Sequence, residues 1–323
     1  DQERRQDLEE AIKNIYIIQP KIFKGLKKEQ EKTLVGFLNL LLDSNERERI
    51  ISILDGIVTL SEEEREQLSN VLRSTTISRI NRMVNMIHDR YEVIETLRKL
   101  VYDLSKFTNE RDHIQKIIES NYWLFGEQFH MVSHDESFEN LISKYLYILD
   151  GEDAKPEVIG SEERNRRPDI FMCRQYIHPY LDSNLIEDNV IVELKRPNVE
   201  IGVVQYRQIE DYMNLIKNEA QFNSQLRTWK FYVVSKELSK DVKDKYRSFE
   251  HFNKRFLVNK VDNYEIYAMS WDDVFKSFEL QHNYILEKLG FDKSKIKGEI
   301  TSVSPTRAGA DALTKEIGNL NAN

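Results

Sequence analysis

The chain has 323 residues, 40% of them hydrophobic and 32% charged, with a formal net charge of −8. That length predicts two compact units and tails rather than one domain, and no apolar run is long enough to cross a bilayer or to form a signal-peptide core near the start. The acidic balance excludes a surface coated in basic residues for indiscriminate polyanion binding, but it leaves room for positive charge confined to one groove.

The chain opens on Asp1 rather than a methionine, as expected of a piece of a longer protein. A single cysteine, Cys173, excludes an internal disulfide framework and suits a reducing compartment, so a cytoplasmic protein is expected.

Residues 6–106 read as all-α. They contain almost no proline or glycine after Gly56, and their apolar residues recur at helical spacing. Leu34, Leu38, Leu41 and Leu42 form one stripe; Leu68, Val71 and Leu72 form a second, behind a Ser61/Glu64 capping box. The longest stripe, from Ile80 through Met83, Val84, Ile87, Tyr91, Ile94, Leu97 and Val101 to Leu104, predicts a helix over 78–104. A helix of that length suits assembly with further copies of the chain, and equally a monomeric helical bundle.

From about residue 110 the texture becomes mixed α/β. Short helices are expected over 110–120, with Ile114, Ile117 and Ile118 inward, and over 136–149. Strands are expected at 169–173, 190–194, 231–235 and 264–269. A helix over 199–217 separates the second and third strands, and a last helix starts at a Ser270/Asp273 cap and stops before Gly290. Residues 292–323 are small and polar, which predicts a flexible tail. The expected domains are thus 1–108, 109–291 and the tail 292–323.

Three stretches fit Asp/Glu-x-Lys: Asp153-Ala-Lys155, Glu193-Leu-Lys195 and Asp241-Val-Lys243. Only the middle one ends a β-branched run, Val190-Ile191-Val192. Residues i and i+2 of a strand share a face, so Glu193 and Lys195 project together from its end. Upstream, the only Pro-Asp pair, Pro168-Asp169, opens the run Ile170–Cys173. If these two strands form an antiparallel hairpin, Asp169 lies beside Glu193. Two carboxylates so placed need a cation or a shared proton. Mg²⁺ is the natural partner, with Mn²⁺ as a substitute, and Lys195 is then placed to orient or deprotonate a water. An isolated Glu-x-Lys is usually a solvated strand edge; it is the combination that points to chemistry.

The order Pro168-Asp169, Glu193-Leu-Lys195, helix, strand resembles the PD-(D/E)XK nuclease superfamily. Within it the chain is most similar to the Shedu-type anti-phage defence nucleases, through Asn121-Tyr122-Trp123-Leu124-Phe125-Gly126, Val192-Glu193-Leu194-Lys195-Arg196-Pro197 and the pair Gln208 and Tyr212. The likeness covers roughly 110–290. It implies a restriction-endonuclease-like α/β core on a mixed sheet and a Mg²⁺-dependent endonuclease that nicks or cuts double-stranded DNA of phage or plasmid. It further implies a regulatory N-terminal region and a homo-oligomer, commonly a tetramer. A repair or restriction nuclease of the same superfamily, or an inactive DNA-binding relative, are the alternatives.

Asp169, Glu193 and Lys195 are the expected catalytic residues, with Asp169 and Glu193 as metal ligands. The superfamily often adds an acid from the first core helix, for which Glu119 is the candidate. Gln208 and Tyr212, neighbours at i, i+4, are expected to support the site or touch the DNA backbone. Arg164, Arg166 and Arg167, just before Asp169, and Arg196 are expected to contact phosphates. His130 and His134, followed by Asp135 and Glu136, are read as solvated rather than metal-binding. No phosphate-cradling glycine loop is present, so no nucleotide cofactor is expected.

Overall fold

The computed structural model describes residues 2–18, 24–177, 185–224, 226–288, 300 and 303–320, in two compact units, Asp1–Val84 and Asn85–Asn323. The first unit is helical: α1 (Gln2–Ile18), α2 (Lys28–Leu42), α3 (Ser44–Val58), α4 (Glu62–Ser74) and the start of α5 (Ile77–Tyr102). The Ser61/Glu64 capping box forms as its spacing predicts: the Glu64 amide donates to Ser61 Oγ at 3.2 Å and the Ser61 amide to Glu64 Oε2 at 2.7 Å. Yet neither α2 nor α4 buries a residue fully, and Ile51, Ile53, Val58 and Val71 remain exposed. Among its described residues, this unit stacks amphipathic helices without closing a core.

The unit boundary differs from the expected one near 108. It falls inside α5, because the apolar stripe of that helix does not stop there. Ile87, Tyr91, Ile94, Leu97, Leu100 and Val101 are buried against the sheet of the second unit. The helix is continuous, but from Asn85 its contacts belong to the α/β unit.

The second unit is three-layered. Its sheet holds β1 (His130–His134), β2 (Ile170–Ile177), β3 (Leu185–Leu194), β4 (Arg227–Ser235), β5 (Leu257–Val261) and β6 (Tyr264–Ser270), in the order β1-β2-β3-β4-β6-β5. β1, β2 and β3 pair antiparallel, β3, β4 and β6 parallel, and β5 closes the edge antiparallel to β6. The period of two along each strand sorts side chains between the faces. Val190, Val192 and Leu194 of β3 face α5, the short helix α6 (Lys116–Ser120) and α10 (Trp271–Lys288). Ile191 and its neighbours Phe171 and Phe231 face α7 (Phe138–Asp150), α8 (Val203–Asn218) and α9 (Lys240–Ser248). The second face is anchored on Trp229, fully buried among Phe171, Tyr145 and Phe222, with ring centroids 5.6–5.7 Å away.

The four expected strands and the cap of α10 are present; Ser270 N–H donates to Asp273 Oδ2 at 2.9 Å. Edge strands β1 and β5 and helix α9 were not anticipated. The tail needs correction. Residues 307–320 form helix α11 (Arg307–Leu320), whose Ala310, Leu313 and Ile317 are buried in the same core as Ile114, Ile117 and Ile118. An isolated helix this short is marginal in water. Burial of Leu313 and Ile317, each contributing about 1.5–3 kcal/mol, is what holds it. Most of the rest of the predicted tail, 292–299, 301–302 and 321–323, lies outside the described residues.

Candidate functional site

The register of one strand pair builds the site. Ile170 pairs with Val192 across β2 and β3, so one step further Asp169 stands opposite Glu193. Both alternate toward the α8 side of the sheet, with Phe171 and Ile191. The Asp169 carboxylate extends the failing ladder by accepting the Leu194 N–H at 2.6 Å, and its carbonyl accepts from Asp135 N–H at 3.2 Å. Beyond the strand, Lys195 N–H still reaches Val234 O at 2.9 Å, so the backbone is held while its side chain turns back. Lys195 Nζ lies 2.6 Å from Glu193 Oε1.

Helix α8 supplies the second wall. Gln208 Nε2 donates to Glu193 Oε1 at 2.6 Å and to Tyr212 Oη at 3.0 Å, and the Tyr212 hydroxyl lies 3.1 Å from Glu193 Oε2. An edge-on contact with Phe138, 5.4 Å between centroids, fixes the Tyr212 ring. Burial and the charge of Glu193 push the Tyr212 phenol far up, against the hydrogen bond from Gln208, so it stays a proton donor. Both oxygens of Glu193 are thereby pinned.

The electrostatics are lopsided. Asp169 and Glu193 are 5% and 4% exposed. Burial and the neighbouring Glu193 raise the Asp169 carboxyl well above its usual range, against the Leu194 N–H. Burial also raises Glu193, although the Lys195 ammonium beside it pulls the other way. Glu265, on the opposite face of the sheet, shows what full compensation does. Burial works against its charge too, but hydrogen bonds from Lys254 (2.5 Å), Lys260 (2.8 Å) and Tyr267 (2.6 Å) hold it down at about 2. The Asp169–Glu193 pair has one ammonium where it needs more positive charge.

A third carboxylate adds to the imbalance: Glu110 raises both members of the pair. It opens a π-helical turn, Glu110–Gln115, and its Oε2 accepts the Arg196 N–H at 3.0 Å. The expected acid was Glu119. That residue sits at the far end of the same helical segment, and its Oε1 is 3.1 Å from His134 Nδ1. The helix thus presents its first turn, not its last, to the carboxylates. The available signal was Asn109, whose side chain caps the turn by accepting Arg111 N–H at 3.1 Å and so marks Glu110 as a first-turn acid.

Of the expected phosphate-binding arginines, Arg167 and Arg196 are exposed beside the site and make no ion pair among the described residues. Arg164 is exposed and reaches Ile159 O at 3.4 Å. Arg166 is engaged by Glu163 and, at 3.1 Å, by Asp211, which compensates its charge within the fold. His130 and His134 lie on a strand, where four residues span about 13 Å, too far to share an ion.

Hard oxygen donors, buried, with unmet negative charge, fit a divalent cation of the Mg²⁺ type, which commonly takes one or two carboxylates and keeps several waters. Asp169 and Glu193 could hold it, with Glu110 at the rim. One tighter group exists among the described residues: His88, Asp89 and Glu92 on α5, with ligand atoms within 4.8 Å of one another. It is partly exposed and lies within one helix. No helix among the described residues is long and apolar enough to cross a membrane. Comparison with known proteins finds no matching family model, no matching curated protein and no matching solved structure.

The raised carboxyls give a pH prediction. A carboxyl with a folded pKa above its unfolded value favours folding below the unfolded pKa, and that contribution is lost as pH rises through the folded pKa. Metal-free Asp169→Asn should therefore melt above the parent at pH 8, and this gain should shrink toward pH 4. Thermal melts across that range check it; an equal shift at both ends contradicts the assignment.

Proposed function

We propose that the chain is a metal-dependent endonuclease with a PD-(D/E)XK-type core, acting on the phosphodiester backbone of double-stranded DNA. The observation that carries this reading is the pairing of Asp169 with Glu193 across β2 and β3, buried, with Lys195 Nζ 2.6 Å from the glutamate. A structural ion pair needs no second carboxylate at its side. A hydrolytic site does, because charge that builds on a phosphate in the transition state must meet a cation held in place.

Asp169 and Glu193 would hold Mg²⁺, or Mn²⁺ in its place, with Glu110 as a further acid in reach. When bound, the ion supplies Lewis acidity at the phosphate and at a water. The chain's own residues do the rest. Gln208 and Tyr212 fix both oxygens of Glu193. Lys195, 12% exposed at its side chain, orients the attacking water and offsets charge that builds on the phosphate. Arg167 and Arg196, exposed on either side of the strand ends, suit phosphate oxygens of the bound strand.

The same reading takes the chain as similar to the Shedu-type defence nucleases, with the helical unit as the regulatory and assembling part. The support for assembly is physical: α2 and α4 bury no residue, and apolar side chains stay in water. A homo-tetramer is the expected form. Light scattering should return four times the 38.4 kDa chain mass; a mass of one chain would remove this part of the proposal.

Purified protein should nick or cut supercoiled DNA in Mg²⁺ and not in EDTA. Lys195→Ala should slow cleavage by about 10²–10⁴-fold, the usual range for a positioned acid or base, in a chain that still folds but melts lower without metal, because the buried carboxylates lose their one ammonium. Cleavage at the parent rate in that variant would overturn the site, and none by the parent on supercoiled or linear DNA would count against the nuclease reading.

A further inference from the structure

We propose that Asp311 is a positioning residue for the site: through His113 it clamps the π-helical turn that presents Glu110. The proposal rests on the reading of Asp169, Glu193 and Glu110 as the acids of a cation site.

The turn is an unusual element to leave unsupported. Ile114 N–H reaches back to Asn109 O at 3.4 Å, the wide spacing of a π-helix, which is rare and found mostly as single turns at functional sites. Besides its own hydrogen bonds and the Asn109 cap, the turn is tied through His113. The imidazole is fully buried. Its Nδ1 accepts the Asn109 N–H at 2.8 Å, which leaves the ring proton on Nε2. That nitrogen lies 2.7 Å from Asp311 Oδ1, to which it donates. This bond, with Arg307 and Lys116 nearby, holds the Asp311 carboxyl below its usual range.

The other end of the clamp is rigid. Leu313 and Ile317 of α11 are 1% and 2% exposed, packed in one core with Ile114 and Ile117. Gly309 lets α11 approach the preceding chain: a Cβ there would stand 2.1 Å from Ser304 O. A continuous set of contacts therefore runs from α11 through Asp311, His113 and Asn109 to Glu110, and from Glu110 to the Arg196 N–H, next to Lys195. An apolar side chain at 113 would fill the same space without the cost of burying a polar ring. Hydrogen-bonded contacts behind a ligand are a recurrent way of orienting a metal site from outside it.

The test uses the full chain and the variants Asp311→Ala, Asp311→Glu, Glu110→Gln and the double variant Asp311→Ala/Glu110→Gln. Two quantities are read: the Mg²⁺ concentration for half-maximal cleavage of supercoiled DNA, and, in metal-free protein, hydrogen exchange of the Arg196 amide by NMR. Asp311→Ala should raise the Mg²⁺ requirement about tenfold, more than it lowers the rate at saturating Mg²⁺, and should speed Arg196 exchange about as much. Glu110→Gln should raise the Mg²⁺ requirement similarly, the double variant no further, and Asp311→Glu should recover most of the loss. Unchanged Mg²⁺ requirement and unchanged exchange in Asp311→Ala overturn the clamp, as do additive effects in the double variant. If the parent cleaves no DNA, the nuclease reading fails separately, and Arg196 exchange alone decides the clamp: faster in Asp311→Ala supports it, unchanged overturns it.

Discussion

Two carboxylates forced together at the buried end of an antiparallel strand pair set the terms for the rest of the α/β unit. The β2–β3 register brings Asp169 opposite Glu193, and the layers around it keep both nearly dry. Such a pair is expensive unless a counter-charge or a proton relieves it. The surrounding groups offer partial relief: one backbone N–H to Asp169, and Lys195, Gln208 and Tyr212 to Glu193. Glu265 lies in the same sheet and is as little exposed, though less deep. There two lysines and a tyrosine complete the compensation. At Asp169 and Glu193 the fold stops short, and Glu110 adds further negative charge.

The scaffold explains why the pair can be held at all. β3 is central, flanked by β2 and β4, and its side chains pack against helices on both faces. The aromatic group about Trp229 locks the α7–α8 side, so α8 delivers Gln208 and Tyr212 at fixed depth. On the other side α5, α6 and α11 share one core, and that core positions the turn carrying Glu110. Rigid elements on both faces converge on one strand end, which is how a site is preorganised rather than assembled on binding. Among the described residues, the helical unit Asp1–Val84 has no comparable core.

The local rules carried the sequence reading a long way. The period of two in Val190–Leu194, the cap pairs Ser61/Glu64 and Ser270/Asp273, and the i, i+4 pair Gln208/Tyr212 are short-range features, and each is present in the structure. The carboxylate pairing was legible because an antiparallel register follows from two strands and a connection. What escaped was long-range or chemically quiet. β1 contains Ser133 and two histidines, and β5 contains Asn259 and Lys260; both are edge strands with register shifts, so neither shows a clean apolar alternation. Helix α11 buries Gly309, Ala310 and Thr314 as well as Leu313, small residues that resemble a linker until a partner surface is known. Glu110 was missed for the same reason: which end of a helix meets a strand end is a property of packing.

The central claim is that Asp169 and Glu193 form a site completed by a hard divalent cation. Calorimetric titration of the metal-free chain with Mn²⁺, in two buffers of different ionisation heat, tests it most directly. The account predicts one site per chain, release of about one proton as the ion replaces it on the raised carboxyls, and loss of that site in Asp169→Asn. No binding heat, or binding that survives Asp169→Asn unchanged, would mean that the two carboxylates are a buried, proton-sharing pair with no part in holding a metal.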